Sequence, residues 1–371
     1  MKTKIQDMTS GSPGRLIILF AIPLMLGNIC QQLYTMVDTM VVGQIAGVEA
    51  LAALGAVDFL MWVVTGISTG LTQGFSIQLS QYYGAKDFEN LRKSLAHSYR
   101  LTAFIAVGVF ILSQSFAALV LTGLHTPSNI IGMSLLYLRI IFCGIPATAA
   151  YNMFAAALRA MGNSKTPLTA MIIASVLNIS LDILFVAGFG WGVAGAAIAT
   201  VIAQSFSAVY CFLILRRIDI VHLSRADFMS AAGMNARLMK LGIPVVFQNI
   251  IIGVGGLVVQ YVINGYGFLF VAGFTATNKL YGLLEMAAIS YGYAIVTYVG
   301  QNLGAGKIDR IRKGVRSSML LSLLTSLIIS IAMFLFGKNI LSLFISGEPQ
   351  QTKEVLAIAF KYLSIMAAML W

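Results

Sequence analysis

The sequence predicts an all-α membrane protein, a polytopic bundle of helices arranged as two lobes that are related by a parallel repeat. Two observations predict it. Apolar residues make up 58% of the 371 and charged residues only 10%, which is more apolar surface than a soluble domain can cover. The segment QYYGAKDFENLRKS, which begins at Gln81, also returns in similar form as QNLGAGKIDRIRKG at Gln301. A duplicated membrane bundle is typical of transporters built from two related halves.

Ten apolar stretches are long enough to cross a bilayer, which takes about 20 residues of helix. Several are longer, so we expect tilted helices or helices that extend beyond the bilayer. The first stretch is too long for the core of a signal peptide, and we predict that it is a retained helix. In chain order the predicted spans are 16–37, 51–82, 95–121, 130–158, 168–189, 193–215, 241–263, 268–303, 317–345 and 355–371.

The positions of Lys and Arg predict the orientation. With the N-terminus in the cytoplasm, the opposite loops hold no Lys or Arg. This asymmetry follows the positive-inside rule and predicts a multi-pass protein of the cell (inner or plasma) membrane. It also explains the net charge of +11 by topology and by attraction to anionic headgroups, so no nucleic-acid partner is expected. The predicted cytoplasmic segments, which carry most of the Lys and Arg, are 1–15, 83–94, 159–167, 216–240 and 304–316.

The repeat also predicts how the two halves are related. Pro23 in the first helix has its counterpart in Pro244, and Arg92 has its counterpart in Arg312. An even number of spans separates equivalent points, so the two halves have the same orientation in the membrane. They are then related by an axis along the membrane normal. The predicted domains are an N-terminal six-helix lobe (1–215), a cytoplasmic linker (216–240) and a C-terminal lobe (241–371).

Measured against the first half, the second half stops inside its fourth span, at Trp371. We therefore expect six spans plus about four of an expected six, and a chain that is truncated at its C-terminus. An intact ten-span protein is the alternative interpretation.

Polar residues within the spans mark a candidate site, because an ionisable group in the bilayer costs several kcal/mol unless it is paired or faces a cavity. Asp38 closes the first span, and Asn178 and Asp182 lie four residues apart on one face of the fifth. With Asn152 and Thr200, they could form an oxygen-lined cation site. Alternatively, the two carboxylates could share a proton, because two charged carboxylates in one pocket of low dielectric are costly. The alternative is that Asp38 caps its helix at the interface and Asp182 pairs only with Asn178.

Glu285, near the middle of the eighth span, is the deeply placed acid of the second half and a candidate for a second-lobe site. The sequence contains no metalloprotease, dinucleotide-binding or P-loop motif, so we expect neither an enzyme nor a cofactor. An ion gradient is then the simplest source of energy. The histidines are too scattered to predict a zinc site, and the cysteines lie in apolar segments: His97, His125, His222, Cys30, Cys143 and Cys211.

Several segments resemble multidrug and toxic compound extrusion (MATE) transporters of the bacterial type. They are IPLMLGN and VDTMVVGQIAGVEALAALG in the first repeat, ALRAMGNSKTP from Ala157, NISLDILFVAGFGWGVAGAAIAT from Asn178 and GQNLGAG from Gly300. The resemblance covers the chain from about residue 10 to its end. It implies a twelve-helix antiporter with two six-helix lobes, which exports cationic drugs or other small organic compounds in exchange for Na⁺ or H⁺. We expect a monomer that works by alternating access.

The resemblance also implies residues that couple transport to the ion or proton. They match the family's motifs in the first, fourth, fifth and sixth helices and are Asp38, Tyr137, Asn152, Asn178, Asp182 and Thr200. Some relatives carry a further acid in the seventh helix, where this sequence has Ile252. That difference favours coupling through the first lobe.

Two alternatives remain at the level of the sequence. A lipid-linked oligosaccharide flippase of the same superfamily shares the repeat architecture, and a more basic cavity would favour it. A non-transporting membrane protein is the second alternative, if the truncation is native. The intramembrane Asp residues favour a cationic substrate and so argue against the flippase.

Overall fold

The computed structural model describes residues 5–124, 126–229, 232–264, 266, 268–342 and 349–369. Within these ranges the chain is helical and contains no strand. Every predicted span falls on a helix, and the fourth falls on two. The helices are α1 (Pro13–Val41), α2 (Val48–Gly84), α3 (Phe88–Gly123), α4 (Ile131–Cys143), α5 (Ile145–Ala160), α6 (Lys165–Asp182), α7 (Gly192–Leu215), α8 (Met234–Asn264), α9 (Phe268–Gly304), α10 (Ile308–Ser342) and α11 (Pro349–Met369).

Most of these helices are long and apolar enough to cross a membrane. Seven qualify alone, and two bent pairs raise the number to nine within the described ranges. One bent pair is α4 and α5, which meet at an angle of 46°. Pro146, in the first turn of α5, lacks the N–H that would continue the hydrogen bonds of α4, so the predicted span 130–158 is a broken helix. The tenth predicted span lies on α11, which is outside the nine, and Trp371 is outside the described residues.

Each lobe has its own apolar core. In the first lobe the core lies among α2, α3, α5 and α7, and in the second it lies among α9, α10 and α11. The bilayer supplies no hydrophobic drive between helices, so close packing of side chains holds each bundle together. Buried residues of the first core include Phe75, Leu79, Leu95, Met153 and Leu158, and those of the second include Leu280, Met333, Leu341 and Leu363.

The opening helix of each repeat packs against the second helix of the other repeat. α1 packs along α9, and α8 packs along α2. The helices α1, α2, α8 and α9 therefore form the interface between the lobes. Equivalent helices make equivalent contacts, as expected for two repeats related by an axis along the membrane normal.

Glycines allow α2 and α8 to approach closely. Gly66, Gly70 and Gly74 are spaced by four residues and share one face of α2. A Cβ atom on Gly70 would lie 2.9 Å from the Cα of Val246, and one on Gly74 would overlap the backbone of Gly242. This is the packing by small residues that membrane helices use when their backbones meet.

The lobes meet most closely at one end of the bundle. This end comprises the segments 5–12, 84–88, 160–165, 216–229 and 304–308, and we call it the basic end, because all of them except 5–12 contain Lys or Arg. Hydrogen bonds between described residues join the lobes in this half of the bundle and at its middle. The two nearest the middle are Asn28 Nδ2 to Ser290 Oγ (3.2 Å) and Asn249 Nδ2 to the carbonyl oxygen of Gly66 (3.1 Å). The described structure is therefore closed at the basic end.

Candidate functional site

Two carboxylates lie inside the first lobe, on neighbouring helices. Asp38 is near the end of α1 and Asp182 is the last residue of α6, and the two helices pack together. Asp38 is 5% exposed and Asp182 is fully buried. The two groups are close enough to interact electrostatically. A buried pair of like charges is costly, so at least one carboxylate must gain a proton or a counter-ion.

A turn of π-helix follows each of these acids. α1 continues into a π-helical turn at Val42–Ala46, and α6 continues into another at Ile183–Gly188. The two turns are in contact with each other. A π-helical turn disrupts the regular hydrogen-bond ladder and often marks a functional site. Both carboxylates thus precede an irregular backbone segment.

Asn178 and Thr200 form the wall of the site on α6 and α7. Asn178 is fully buried, and its Nδ2 donates a hydrogen bond to the Thr200 hydroxyl over 3.4 Å. This bond uses the donor end of the amide and leaves the carbonyl oxygen for another partner. Tyr137 of α4 is also buried and interacts electrostatically with both Asp38 and Asp182. The structure therefore brings together five of the six predicted coupling residues.

Buried oxygen atoms without a donor are the main chemical feature of this site. Asp38 Oδ1, Asn178 Oδ1 and both carboxylate oxygens of Asp182 accept no hydrogen bond from any described residue. Buried acceptors are normally satisfied, because a missing partner costs about 1–3 kcal/mol. A proton on a carboxylate or a bound cation would satisfy these oxygens. The donor set consists of hard oxygen ligands, which suits Na⁺ as well as a proton.

Two residues that the sequence interpretation missed lie beside the site. Tyr34 of α1 accepts a hydrogen bond from Gln204 Nε2 of α7 (3.1 Å) and interacts electrostatically with Asp38. The Gln204 Oε1 atom is another buried oxygen without a donor among the described residues. Tyr34 is four residues before Asp38, so helical spacing could have placed the two on one face.

Asn152 and Glu285 lie elsewhere. Asn152 Nδ2 donates to the Thr69 hydroxyl of α2 (3.3 Å), so the amide joins α5 to α2 and is not bonded to the other predicted residues. Glu285 is an exposed residue of α9, in the other lobe. Gly282, three residues before Glu285, faces α1, because a Cβ atom built on it would lie 4.0 Å from Gln32 Nε2. Glu285 thus shares a face of α9 with a residue that faces the first lobe.

The described residues contain no group of three or more His, Cys, Asp and Glu side chains that could hold a metal ion. His97 is buried and has partners for both ring nitrogens, Asn235 Oδ1 (2.7 Å) and the carbonyl oxygen of Met229 (3.2 Å). These contacts join α3 to the linker and to α8. His97 therefore has a structural role.

The two-lobe bundle with buried carboxylates defines a class, the polytopic membrane transporters built from two related halves. The chain belongs to the MatE family, whose model matches residues 23–184 and 244–370. The two matched segments begin at Pro23 and Pro244, the positions that the repeat predicts to be equivalent. The resemblance to MATE transporters is confirmed.

Relatives match over most of the chain. The probable multidrug resistance protein YpnP of Bacillus subtilis (strain 168) is 31% identical over 364 residues, which cover 98% of this chain and 80% of the relative. The probable multidrug resistance protein YoeA of the same strain is 29% identical over 368 residues, which cover 97% of this chain and 78% of the relative.

Solved structures share the fold. A MOP superfamily transporter from Pyrococcus furiosus, described as having a binding pocket of reverse polarity, superposes with a TM-score of 0.93 at 22% identity. A multidrug resistance MATE family transporter in an outward-facing conformation superposes with a TM-score of 0.92 at 21% identity. Both alignments cover 100% of this chain and 82% of the solved chain. The predicted fold class, a helical bundle of two lobes, is confirmed.

Proposed function

We propose that this chain is a secondary active antiporter that exports small organic or cationic compounds in exchange for Na⁺ or H⁺. One observation carries the proposal: the buried oxygens of Asp38, Asn178 and Asp182 have no donor among the described residues. Such a site binds a proton or a cation reversibly, as coupling requires. The relatives described as multidrug resistance proteins support a drug-like substrate.

The proposed mechanism is alternating access. The basic end faces the cytoplasm of the cell membrane, as the positive-inside rule predicts. The described structure, closed at that end, is then the state that faces outward. An ion binding at Asp38 and Asp182 drives the cycle only if it binds the outward-facing and inward-facing states with different affinity.

The chemistry of the interface supports a cationic substrate. Glu285 supplies a carboxylate to the face of α9 that approaches α1, and Gln32 supplies an amide from α1. A carboxylate at this position attracts organic cations and opposes anions such as a pyrophosphate-linked sugar. This favours drug export over the oligosaccharide flippase alternative.

The function is tested with everted membrane vesicles that contain the protein. A fluorescent organic cation is supplied outside, and its uptake into the vesicles is compared under an imposed Na⁺ gradient and an imposed proton gradient. We expect uptake with one of the two gradients and loss of uptake when that gradient is collapsed. Vesicles with the Asp38→Asn, Asp182→Asn double variant are the control. Equal uptake by the protein and the double variant would overturn the proposal.

A further inference from the structure

The N-terminal segment 5–12 lies across the junction between the two lobes at the basic end. Ile5 packs against the core of the first lobe, and the Gln6 amide donates to the carbonyl oxygen of Gly162 (3.1 Å). Met8 is fully buried in a cluster with Tyr291 and Ala294 of α9. The segment therefore contacts both lobes within a few residues.

Gln301 of α9 is the point at which the segment and both lobes meet. Its Oε1 accepts a hydrogen bond from the Met8 amide (3.0 Å), and its Nε2 donates to the carbonyl oxygen of Ala160 at the end of α5 (2.8 Å). The side chain is fully buried, so water does not compete for either bond. One amide thus joins the second lobe, the first lobe and the N-terminal segment.

Further bonds hold the segment mainly to the second lobe. Asn302 Nδ2 donates to the carbonyl oxygen of Met8 (2.9 Å) and Lys307 Nζ donates to that of Thr9 (2.9 Å). Arg310 Nη1 donates to the carbonyl oxygen of Gly11 (2.9 Å), and its Nη2 donates to that of Met8 (3.3 Å). The first lobe holds the segment by the hydrogen bond from the Gln6 amide to Gly162, by the packing of Ile5 and by the chain itself, which continues into α1 at Pro13.

Two contacts show why this junction is tight. Gly162 has a φ of +89°, and a Cβ atom there would overlap the carbonyl oxygen of Gln6. On the other side, the Arg159 guanidinium of α5 lies 4.8 Å from the centre of the Tyr293 ring of α9, a cation–π distance. Residues 159–162 of the first lobe are thus packed against both the segment and α9.

We propose that Gln301 is a gating residue, whose amide locks the basic end by joining the N-terminal segment to both lobes and must release Ala160 whenever that end opens. The inference rests on the proposed function, because alternating access requires this end to open. Most bonds of residues 8–11 are to α9 and α10, so this part of the segment moves with the second lobe, although the chain continues into α1 of the first lobe at Pro13. The release therefore occurs at Ala160 and Gly162.

The test measures access to the junction and needs no substrate. Ser80 of α2 is fully buried, and a Cβ atom on Gly300 of α9 would overlap its hydroxyl oxygen, so Ser80→Cys reports separation of the lobes. The three native cysteines are first replaced by Ser. Everted vesicles present the basic end to a membrane-impermeant maleimide, and the rate of labelling is measured.

We expect Gln301→Ala to raise the rate of labelling about three- to tenfold, the effect of losing one or two hydrogen bonds. The matched control is Gln81→Ala, the equivalent Gln of the first repeat, whose side chain bonds to no described residue. Equal rates for Gln301→Ala and Gln81→Ala would overturn the inference.

A second pair of variants, Arg310→Ala and Arg312→Ala, tests the inference if Gln301→Ala does not reach the membrane. Arg310→Ala removes two bonds to the segment, whereas Arg312→Ala removes the same charge from an exposed residue without a bond to any described residue. We expect faster labelling only for Arg310→Ala, and equal rates would again overturn the inference. If labelling responds as expected while the protein exports nothing, the antiporter proposal alone is contradicted.

Discussion

Gly84 and Gln301 are in contact across the two lobes, and the repeat makes the same contact a second time. A Cβ atom on Gly84 would overlap the carbonyl oxygen of Gln301, and one on Gly304 would overlap that of Gln81. In each repeat, the Gly of the Q-x-x-G-A motif accommodates the Gln backbone of the other repeat. The most recognisable repeat in the sequence is therefore also the point where the repeats meet.

The first prediction follows from this contact. Gly84→Ala and Gly304→Ala each place a methyl group against a backbone atom, which no change of rotamer can relieve. Over-packing costs about 1–3 kcal/mol and applies only to the state closed at the basic end. We expect labelling of Ser80→Cys to rise about tenfold or more, and efflux to fall because the outward-facing state is depleted.

Gly108→Ala is the matched control for this pair. A Cβ atom at Gly108 of α3 would have no atom within 4 Å, so Gly108→Ala should change neither the rate of Ser80→Cys labelling nor the rate of efflux. If Ser80→Cys is labelled at the wild-type rate in both Gly84→Ala and Gly304→Ala, the contact between the repeats is contradicted.

Features that depend on local composition could be predicted from the sequence. Apolar runs placed all ten helical stretches, because membrane helices must be apolar along their length. The helical spacing of Asn178 and Asp182 placed them together, and their burial agrees with it. The equivalence of Pro23 and Pro244 matches the start of both matched family segments.

Features that depend on interrupted or long-range structure could not be predicted. The stretch 130–158 stays apolar through the bend at Gly144, so hydropathy does not reveal the break. The π-helical turns after Asp38 and Asp182 leave no period in the sequence. The sequence could predict how deep in the membrane Asn152 lies, but not which face of its helix it occupies. In the structure it bonds to Thr69 of α2. The packing of α1 along α9 brings together residues that are far apart in the sequence, so helical periodicity, which relates only near neighbours, could not predict it.

A second prediction concerns the carboxylates of the first lobe. Asp38→Asn and Asp182→Asn each preserve the size of the side chain but remove the group that takes a proton or a cation. We expect either change to abolish gradient-driven efflux while the amount of protein in the membrane stays unchanged. Efflux in everted vesicles and immunoblots of the membranes measure the two quantities.

The control for these variants is Asp309→Asn, which changes an exposed acid in the first turn of α10. It should retain efflux. Undiminished efflux in both Asp38→Asn and Asp182→Asn would exclude the first lobe as the coupling site.

A third prediction concerns Glu285. If its carboxylate attracts the substrate, Glu285→Gln should weaken transport of organic cations about fivefold, the effect of a partly exposed ion pair of about 1 kcal/mol. Transport of a neutral compound should not change, because it loses no charge partner. The apparent affinity for a cation and for a neutral compound is measured side by side. Glu354→Gln, at an exposed acid of α11, is the control, and an equal loss for both compounds would argue against a role in charge recognition.

The last prediction concerns Asp227 in the linker between the lobes. Its Oδ2 accepts hydrogen bonds from the Ser224 amide (2.7 Å) and the Ser224 hydroxyl (2.8 Å), and its Oδ1 lies 3.8 Å from Arg92 Nε of α3. Burial opposes the charged form, but the bonds from Ser224 and the charge of Arg92 outweigh it and hold the pKa of Asp227 below its usual 3.8. The charged form therefore stabilises the folded linker.

Because the pKa of Asp227 is lower in the folded state, its contribution is complete above pH 3.8 and is lost as the pH falls through the folded value. Asp227→Asn should lower the free energy of unfolding by about 2 kcal/mol at pH 7, the effect of losing hydrogen bonds to a charged group. Thermal unfolding of the purified protein at pH 7 and at pH 3 measures the difference, which should shrink at the lower pH. Asp219→Asn, at an exposed acid of the same linker, should have little effect at either pH. A loss of stability for Asp227→Asn that is as large at pH 3 as at pH 7 would show that its charge is not what stabilises the linker.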